Sequence, residues 1–240
     1  MNVYIRVEKN SLPILSKALL RKGTEEALAQ WIFEPLPRKD FLGIPDHRFL
    51  SNMTRCVFQA GFVWRIIQKK WPDFESIFFG FEPLPISLLN PDQLDKIATN
   101  KRIVRNRQKV QSVPFNANYI LDMSSRYGNF ATFIDHWPEE DFVGLCAHLK
   151  RYGSRLGGRS GPRMLRYMGK DSFNLSRDVV TCLRQSGLEI PDHPQSKTDL
   201  KRIQAQFNHW RDQTGFSLTK LSRICACSCG ENYPEPSYRS

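Results

Sequence analysis

The stretch 149–179 reads LKRYGSRLGGRSGPRMLRYMGKDSFNLSRDV, and the way glycine interrupts its apolar runs decides the fold. An apolar helical pattern, Phe142 to Tyr152, stops at Gly153, a glycine-rich corner runs from Leu156 to Gly161, and Pro162 stands where a new helix starts. The pattern predicts a helix, a hairpin and a second helix. Gly157, Gly158 and Gly161 permit positive φ, and the first amides of the second helix have no partners within it. Such a corner suits a phosphate, because open N–H groups and the positive helix end face the anion together. Arg151, Arg155, Arg159, Arg163 and Arg166 surround it. A glycine corner between helices is also an ordinary connection, and the dense arginine is what favours the phosphate reading.

Working outward, Asn174, Ser176 and Asp178 crowd the start of an apolar helix through Val179, Val180, Cys182 and Leu183, with Ser176 as its cap. Two closing helices, 200–210 and 218–229, precede a polar tail at 231–240 that reads as disordered. On the other side, the acidic residues of 138–141 provide the first turn of the helix entering the corner. Arg102 to Tyr127 reads as one helix that Pro114 kinks, with Ile103, Val104, Val110, Val113, Ala117, Ile120 and Leu121 inward. Arginines at its start oppose the helix dipole unless anions or partner carboxylates offset them.

The stretch 49–71, FLSNMTRCVFQAGFVWRIIQKKW, spaces Phe49, Met53, Val57, Ala60, Trp64 and Ile67 for one helical face, and Phe58, Phe62 and Trp71 make it apolar on more than one side. Such a helix lies in the body or lines a pocket, and packing alone explains Trp64 as well as a pocket does. The N-terminal 1–45 reads as an extension with a short extended start and a helical pattern that Gly23 breaks in two. No strand pattern emerges, so the architecture is all-α.

The 240 residues suffice for one large or two small domains with a real core. Lys and Arg outnumber Asp and Glu by 35 to 24, a net charge of +11 that favours a polyanion, nucleic acid first. No apolar run approaches the roughly 20 residues a membrane span needs, and the N-terminus lacks a signal-peptide core, so the expected setting is a reduced cytoplasm.

FQAGFVW (58–64), RIVRNRQKVQSVPFNANYIL (102–121) and LKRYGSRLGGRSG (149–161) occur in family order, and over roughly 44–187 the chain resembles a divergent member of the 3-methyladenine DNA glycosylase I family, within the helix-hairpin-helix glycosylase superfamily. The resemblance implies two closely packed helical subdomains in a domain over 46–230, with the hairpin at 153–163. It implies a monofunctional, cofactor-free enzyme, a monomer, that flips an alkylated purine such as 3-methyladenine out of duplex DNA and hydrolyses its N-glycosidic bond. The hairpin's Arg155, Gly157, Gly158, Arg159, Ser160, Gly161 and Arg163 then hold the backbone, with Arg102, Arg105 and Arg107 adding phosphate contacts. Trp64 stacks on the flipped base, in a pocket with Phe58, Phe62, Gln59 and Cys56.

The match to the family's pattern has three departures. The family's base-reading glutamate, three residues before the glutamine of the QAG block, is replaced by Cys56. The superfamily's catalytic aspartate aligns with Ser176, leaving Asp178, or second Asp171, as the candidate carboxylate. The cysteine and histidine pair that binds zinc at the family's N-terminus is absent from 1–45, and Cys225, Cys227 and Cys229 at alternate positions do not resemble a zinc hook, so no metal is expected. The first two departures also support a rival, a catalytically silent DNA-binding protein. A weaker third reading is a binder of RNA or branched DNA.

Overall fold

The computed structural model describes residues 12–230, all helix and connection with no strand among them. The chain divides into two compact units, one formed by Met1–Leu36, Glu140–Val143 and Gly169–Ser240, the other by Pro37–Glu139 and Gly144–Met168. The expected tail at 231–240 and the extended start of the N-terminus lie outside the described residues.

The first unit opens with α1 (Pro13–Lys22) and α2 (Glu25–Ala29), separated at Gly23, whose φ of 89° makes the break the sequence predicts. The second unit then holds α3 (Arg38–Leu42), α4 (Asp46–Gln59), α5 (Trp64–Lys69), α6 (Trp71–Ile77), α7 (Pro83–Ser87), α8 (Pro91–Thr99), α9 (Arg107–Tyr127) and α10 (Phe130–Asp135). The helix α11 (Phe142–Tyr152) begins in the first unit and ends in the second, where α12 (Ser160–Tyr167) follows the hairpin. Completing the first unit are α13 (Arg177–Gln185), α14 (Lys197–Thr214) and α15 (Leu218–Ser228).

In the first unit every residue of α15 is buried, and α1, α13 and α14 pack around it. Two of its residues carry charge, and the N-terminal segment satisfies both: Lys220 pairs with Glu34 at 3.4 Å, and Arg223 donates to the Trp31 carbonyl at 2.8 Å. The segment before residue 37 is therefore a working part of this unit, because it supplies a carboxylate and a carbonyl to two buried cations. Cys225 and Cys229 turn toward Cys182 of α13, with the Ser228 hydroxyl 3.2 Å from the Cys182 sulfur and 3.6 Å from that of Cys229. The hydrogen bond from Cys225, the largest influence, brings the Cys182 thiol down to about 7. Among the described residues no group of three or more His, Cys, Asp or Glu is arranged to hold a metal ion.

In the second unit α9 is the central helix, with α4, α7, α8 and α10 against it. Aromatic rings fill the core: Phe49 meets Phe130 at 5.3 Å, Phe58 meets Phe74 at 4.7 Å, and Trp71 stacks on Phe74 and Phe81.

Three local expectations are corrected. The run 49–71 is not one helix: α4 ends at Gln59, Gly61 takes a φ of 68°, and a new helix begins at Trp64, leaving Ala60 exposed. The run 102–127 becomes helical only at Arg107, because the Asn106 side chain caps the Lys109 amide at 3.0 Å, and Leu121 is only half-buried. Pro114 lies within α9, so the chain does not break there, as the reading of a single helix through this proline expects. The acidic residues 139–141 precede α11 instead of forming its first turn.

Candidate nucleic-acid interface

The hairpin is built by close approach more than by unusual backbone angles. Gly153 ends α11 by donating to the Leu149 carbonyl at 3.0 Å, and the buried Leu156 side chain then folds back against it. A Cβ on Gly153 would lie 2.5 Å from Leu156 Cδ1 and 2.8 Å from the Leu149 oxygen. Gly161 donates to the Leu156 carbonyl at 3.1 Å, and a Cβ there would lie 2.5 Å from that same oxygen. Only Gly158 of the three corner glycines uses the positive φ that glycine permits, at 58°; Gly157 and Gly161 do not. Arg155 adopts the left-handed region instead, at φ 61°, a costly conformation for a side chain with a Cβ.

The open donors also lie one step earlier than the sequence suggests. Ser160 donates to the Gly157 carbonyl at 3.3 Å, Gly161 is engaged with Leu156, and Pro162 has no N–H. The amides of Gly157, Gly158 and Arg159 donate to no described residue. They form a cluster of backbone donors at the entrance to α12, the arrangement that anions favour.

Asn116, fully buried on α9, clamps this loop: its Oδ1 accepts from the Ser154 amide at 2.7 Å and its Nδ2 donates to the Ser154 carbonyl at 3.1 Å. The strained Arg155 next to it donates to Gln108 at the start of the same helix. Asn116→Ala is expected to cost about 1–3 kcal/mol by stranding the Ser154 groups, measured as a fall in Tm, and to weaken duplex binding more than Asn118→Ala on the exposed side of α9.

A second loop, between α4 and α5, carries Trp64. Lys109 donates to the carbonyls of Phe58 and Ala60, at 3.1 and 2.7 Å, satisfying the end of α4 where Gly61 turns the chain. Burial, and secondarily the charge of Arg155, pull the Lys109 ammonium below its usual range. Trp64 is then the first residue of α5, half-buried and not sealed in the core. The Arg163 guanidinium lies over its ring, 4.4 Å from the centroid.

Behind this loop, Cys56 and Gln59 are buried on α4, against which α12 packs. Burial pushes the Cys56 thiol up to about 12, against the opposing pull of Arg163 and then Arg55, so a neutral group stands at this position. Phe58 is fully buried edge-on to Phe74 and serves the core, whereas Phe62 is exposed.

The remaining arginines differ in their freedom. Arg102 donates twice to Asp73, at 2.9 and 2.7 Å, and Arg107 pairs with Asp95 at 2.8 Å, so carboxylates offset the basic run ahead of α9. Arg105 and Arg159 are exposed. Sequence reasoning missed Asn116, Gln108 and Lys109; a polar residue among Val113, Ala117 and Ile120 on the buried face was the available signal for the first.

The two candidate carboxylates belong to the first unit. Both oxygens of Asp171 accept backbone amides at the start of α15, from Leu218 at 3.0 Å and Thr219 at 2.8 Å. Asp178, in the first turn of α13, lies against Gly230 and accepts no hydrogen bond from a described residue. Ser176 caps that helix through the Val179 amide at 3.2 Å, as its sequence predicts.

With this geometry in place, comparison with known proteins is informative. The methyladenine glycosylase family model matches residues 44–150. DNA-3-methyladenine glycosylase 1 of Escherichia coli is 26% identical over 85 residues, covering 34% of this chain and 46% of that protein. The DNA-3-methyladenine glycosylase of Haemophilus influenzae is 30% identical over 76 residues, covering 32% and 41%. The chain thus spans less than half the length of these curated relatives. The solved structure of the Methanocaldococcus jannaschii 8-oxoguanine glycosylase/lyase, in complex with a 15mer DNA containing 8-oxoguanine, superposes with a TM-score of 0.53 at 15% identity, over 90% of this chain and 96% of that one. Residues 44–150 carry the sequence pattern of the methyladenine glycosylases, and the chain has the all-α helix-hairpin-helix DNA glycosylase fold.

Proposed function

We propose that the protein is a DNA glycosylase that removes alkylated purines such as 3-methyladenine from duplex DNA, working as a monomer and without a cofactor. The observation that carries this reading is the hairpin: three open backbone amides at 157–159, in the same unit as a half-buried Trp64. Open amides flanked in sequence by the exposed Arg155 and Arg159 suit a phosphodiester, and a partly exposed indole suits an unstacked base. The net charge of +11 favours the same partner. Among the described residues no helix is long and apolar enough to cross a membrane.

The reaction asks for hydrolysis at the sugar. The C1′–N bond breaks with its electron pair leaving on the base, which an alkylated, positively charged purine accepts readily, and a water oxygen bonds to C1′. A carboxylate stabilises the oxocarbenium-like transition state and takes the water's proton. We assign that role to Asp178, because its oxygens accept no hydrogen bond from a described residue while those of Asp171 are committed to the start of α15.

Chromatographic detection of free 3-methyladenine released from methylated duplex DNA tests the assignment. Wild type releases the base, Asp178→Asn loses about 100-fold or more of the single-turnover rate, and Asp171→Asn loses thermal stability with less effect on that rate. The neutral, buried Cys56 favours the rival reading, a binder that has lost the chemistry. Duplex binding by the wild type with no base released would establish that reading instead.

A further inference from the structure

One face of the Trp64 indole already carries a cation. Arg163 lies on that face at 4.4 Å from the centroid, so a flipped, cationic purine stacking there would have to displace the guanidinium. Building on the glycosylase reading, we propose that Arg163 is a specificity residue that keeps Trp64 closed to free bases and yields the indole only when a DNA phosphate draws the guanidinium away.

Three features support this exchange. Arg163 has no carboxylate partner among the described residues, unlike Arg38, Arg48, Arg102, Arg107 and Arg126 of the same unit, so nothing anionic anchors it to the ring. The buried group beside it, Cys56, is a neutral thiol, and the other charge acting on that thiol is the cation of Arg55. Finally, Arg163 is the fourth residue of α12, the helix that begins directly after the open amides of Gly157, Gly158 and Arg159. Long side chains on a helix lean toward its N-terminus, which here is the hairpin end.

A cation resting on a partly exposed ring is weakly held, whereas a bidentate charge-assisted bond to phosphate is strong. The hairpin's engagement of a strand therefore supplies the competitor that frees the indole. The converse holds after hydrolysis: once DNA leaves, the guanidinium returns to the ring and competes with the departing base. The site takes a base attached to DNA and rejects the same base in solution.

The test measures two affinities on each of two variants, that for free 3-methyladenine by calorimetry and that for a duplex by fluorescence anisotropy. Arg163→Ala is expected to bind the free base roughly three- to thirtyfold more tightly and the duplex about tenfold more weakly. Arg163→Gln, which keeps part of the side-chain stem while removing the charge, is expected to move both affinities the same way and guards against a folding defect. If both affinities weaken together, or free-base affinity stays unchanged while base release persists, the gating role is overturned and the glycosylase reading survives. If the wild type releases no base from any methylated duplex, both fall.

Discussion

Gly161→Ala is expected to cost about 2–3 kcal/mol of stability, a fall in Tm of roughly 5–10 °C, and at least tenfold in duplex affinity. The reason is contact, not backbone conformation. Its φ lies outside the left-handed region, yet an added methyl would stand 2.5 Å from the Leu156 carbonyl oxygen and 3.5 Å from Leu149 Cδ1. That oxygen accepts the Gly161 amide, so relieving the clash breaks the bond that closes the hairpin and displaces the three open amides at 157–159. Gly158→Ala provides the comparison. Its site has open space around it but a φ of 58°, so alanine there pays only for the backbone angle, about 1 kcal/mol. Thermal melts and anisotropy on the two variants separate steric closure from backbone strain: Gly161→Ala loses both stability and binding, and Gly158→Ala loses mainly a little stability.

Trp64→Ala is expected to give the opposite balance. Because the ring is half-buried at the start of α5 and no buried hydrogen bond depends on it, its removal costs only about 1–2 kcal/mol. Release of 3-methyladenine from duplex DNA should fall about 10- to 100-fold, since stacking of a base on an aromatic face is worth about 1–3 kcal/mol and a cationic base adds to that. Duplex affinity, set by the hairpin and charge, should change less than threefold. Trp64→Phe keeps an aromatic face and should retain part of the rate. Phe58→Ala has the contrasting profile: that ring is fully buried against Phe74, so its loss costs about 3–5 kcal/mol and shows as instability.

Where the sequence could be read, local chemistry was decisive. The end of α11 at Gly153, the break at Gly23 and the cap at Ser176 each follow from a glycine or a small polar side chain at the element's end, and the structure has all three. The break at 60–63 was obscured because apolar residues continue at helical spacing from Phe49 to Ile67, so periodicity alone runs two helices together; Gly61 was the only local sign. Likewise, the arginines before α9 look like the start of a helix until Asn106 is recognised as its cap.

The site was harder to read where it depends on contacts distant in sequence. The clamp of Asn116 on Ser154 spans 38 residues, and the support that Lys109 gives the end of α4 spans about 50. Neither has a sequence signature beyond a polar residue on an otherwise apolar face. The pairing of Arg163 with Trp64 joins two stretches about 100 residues apart in sequence, and no spacing rule connects them. The grouping of the N-terminal segment with α15 arises the same way, from two buried cations whose partners are Glu34 and the Trp31 carbonyl.

The most direct measurement follows backbone amide and indole N–H resonances while a duplex carrying a stable analogue of an alkylated purine is titrated in, with the Trp64 signal assigned from Trp64→Phe. The amides of Gly157, Gly158 and Arg159 and the indole N–H of Trp64 should shift together, at the DNA concentrations that saturate binding. A duplex that binds with the hairpin amides and that indole unmoved would contradict the account.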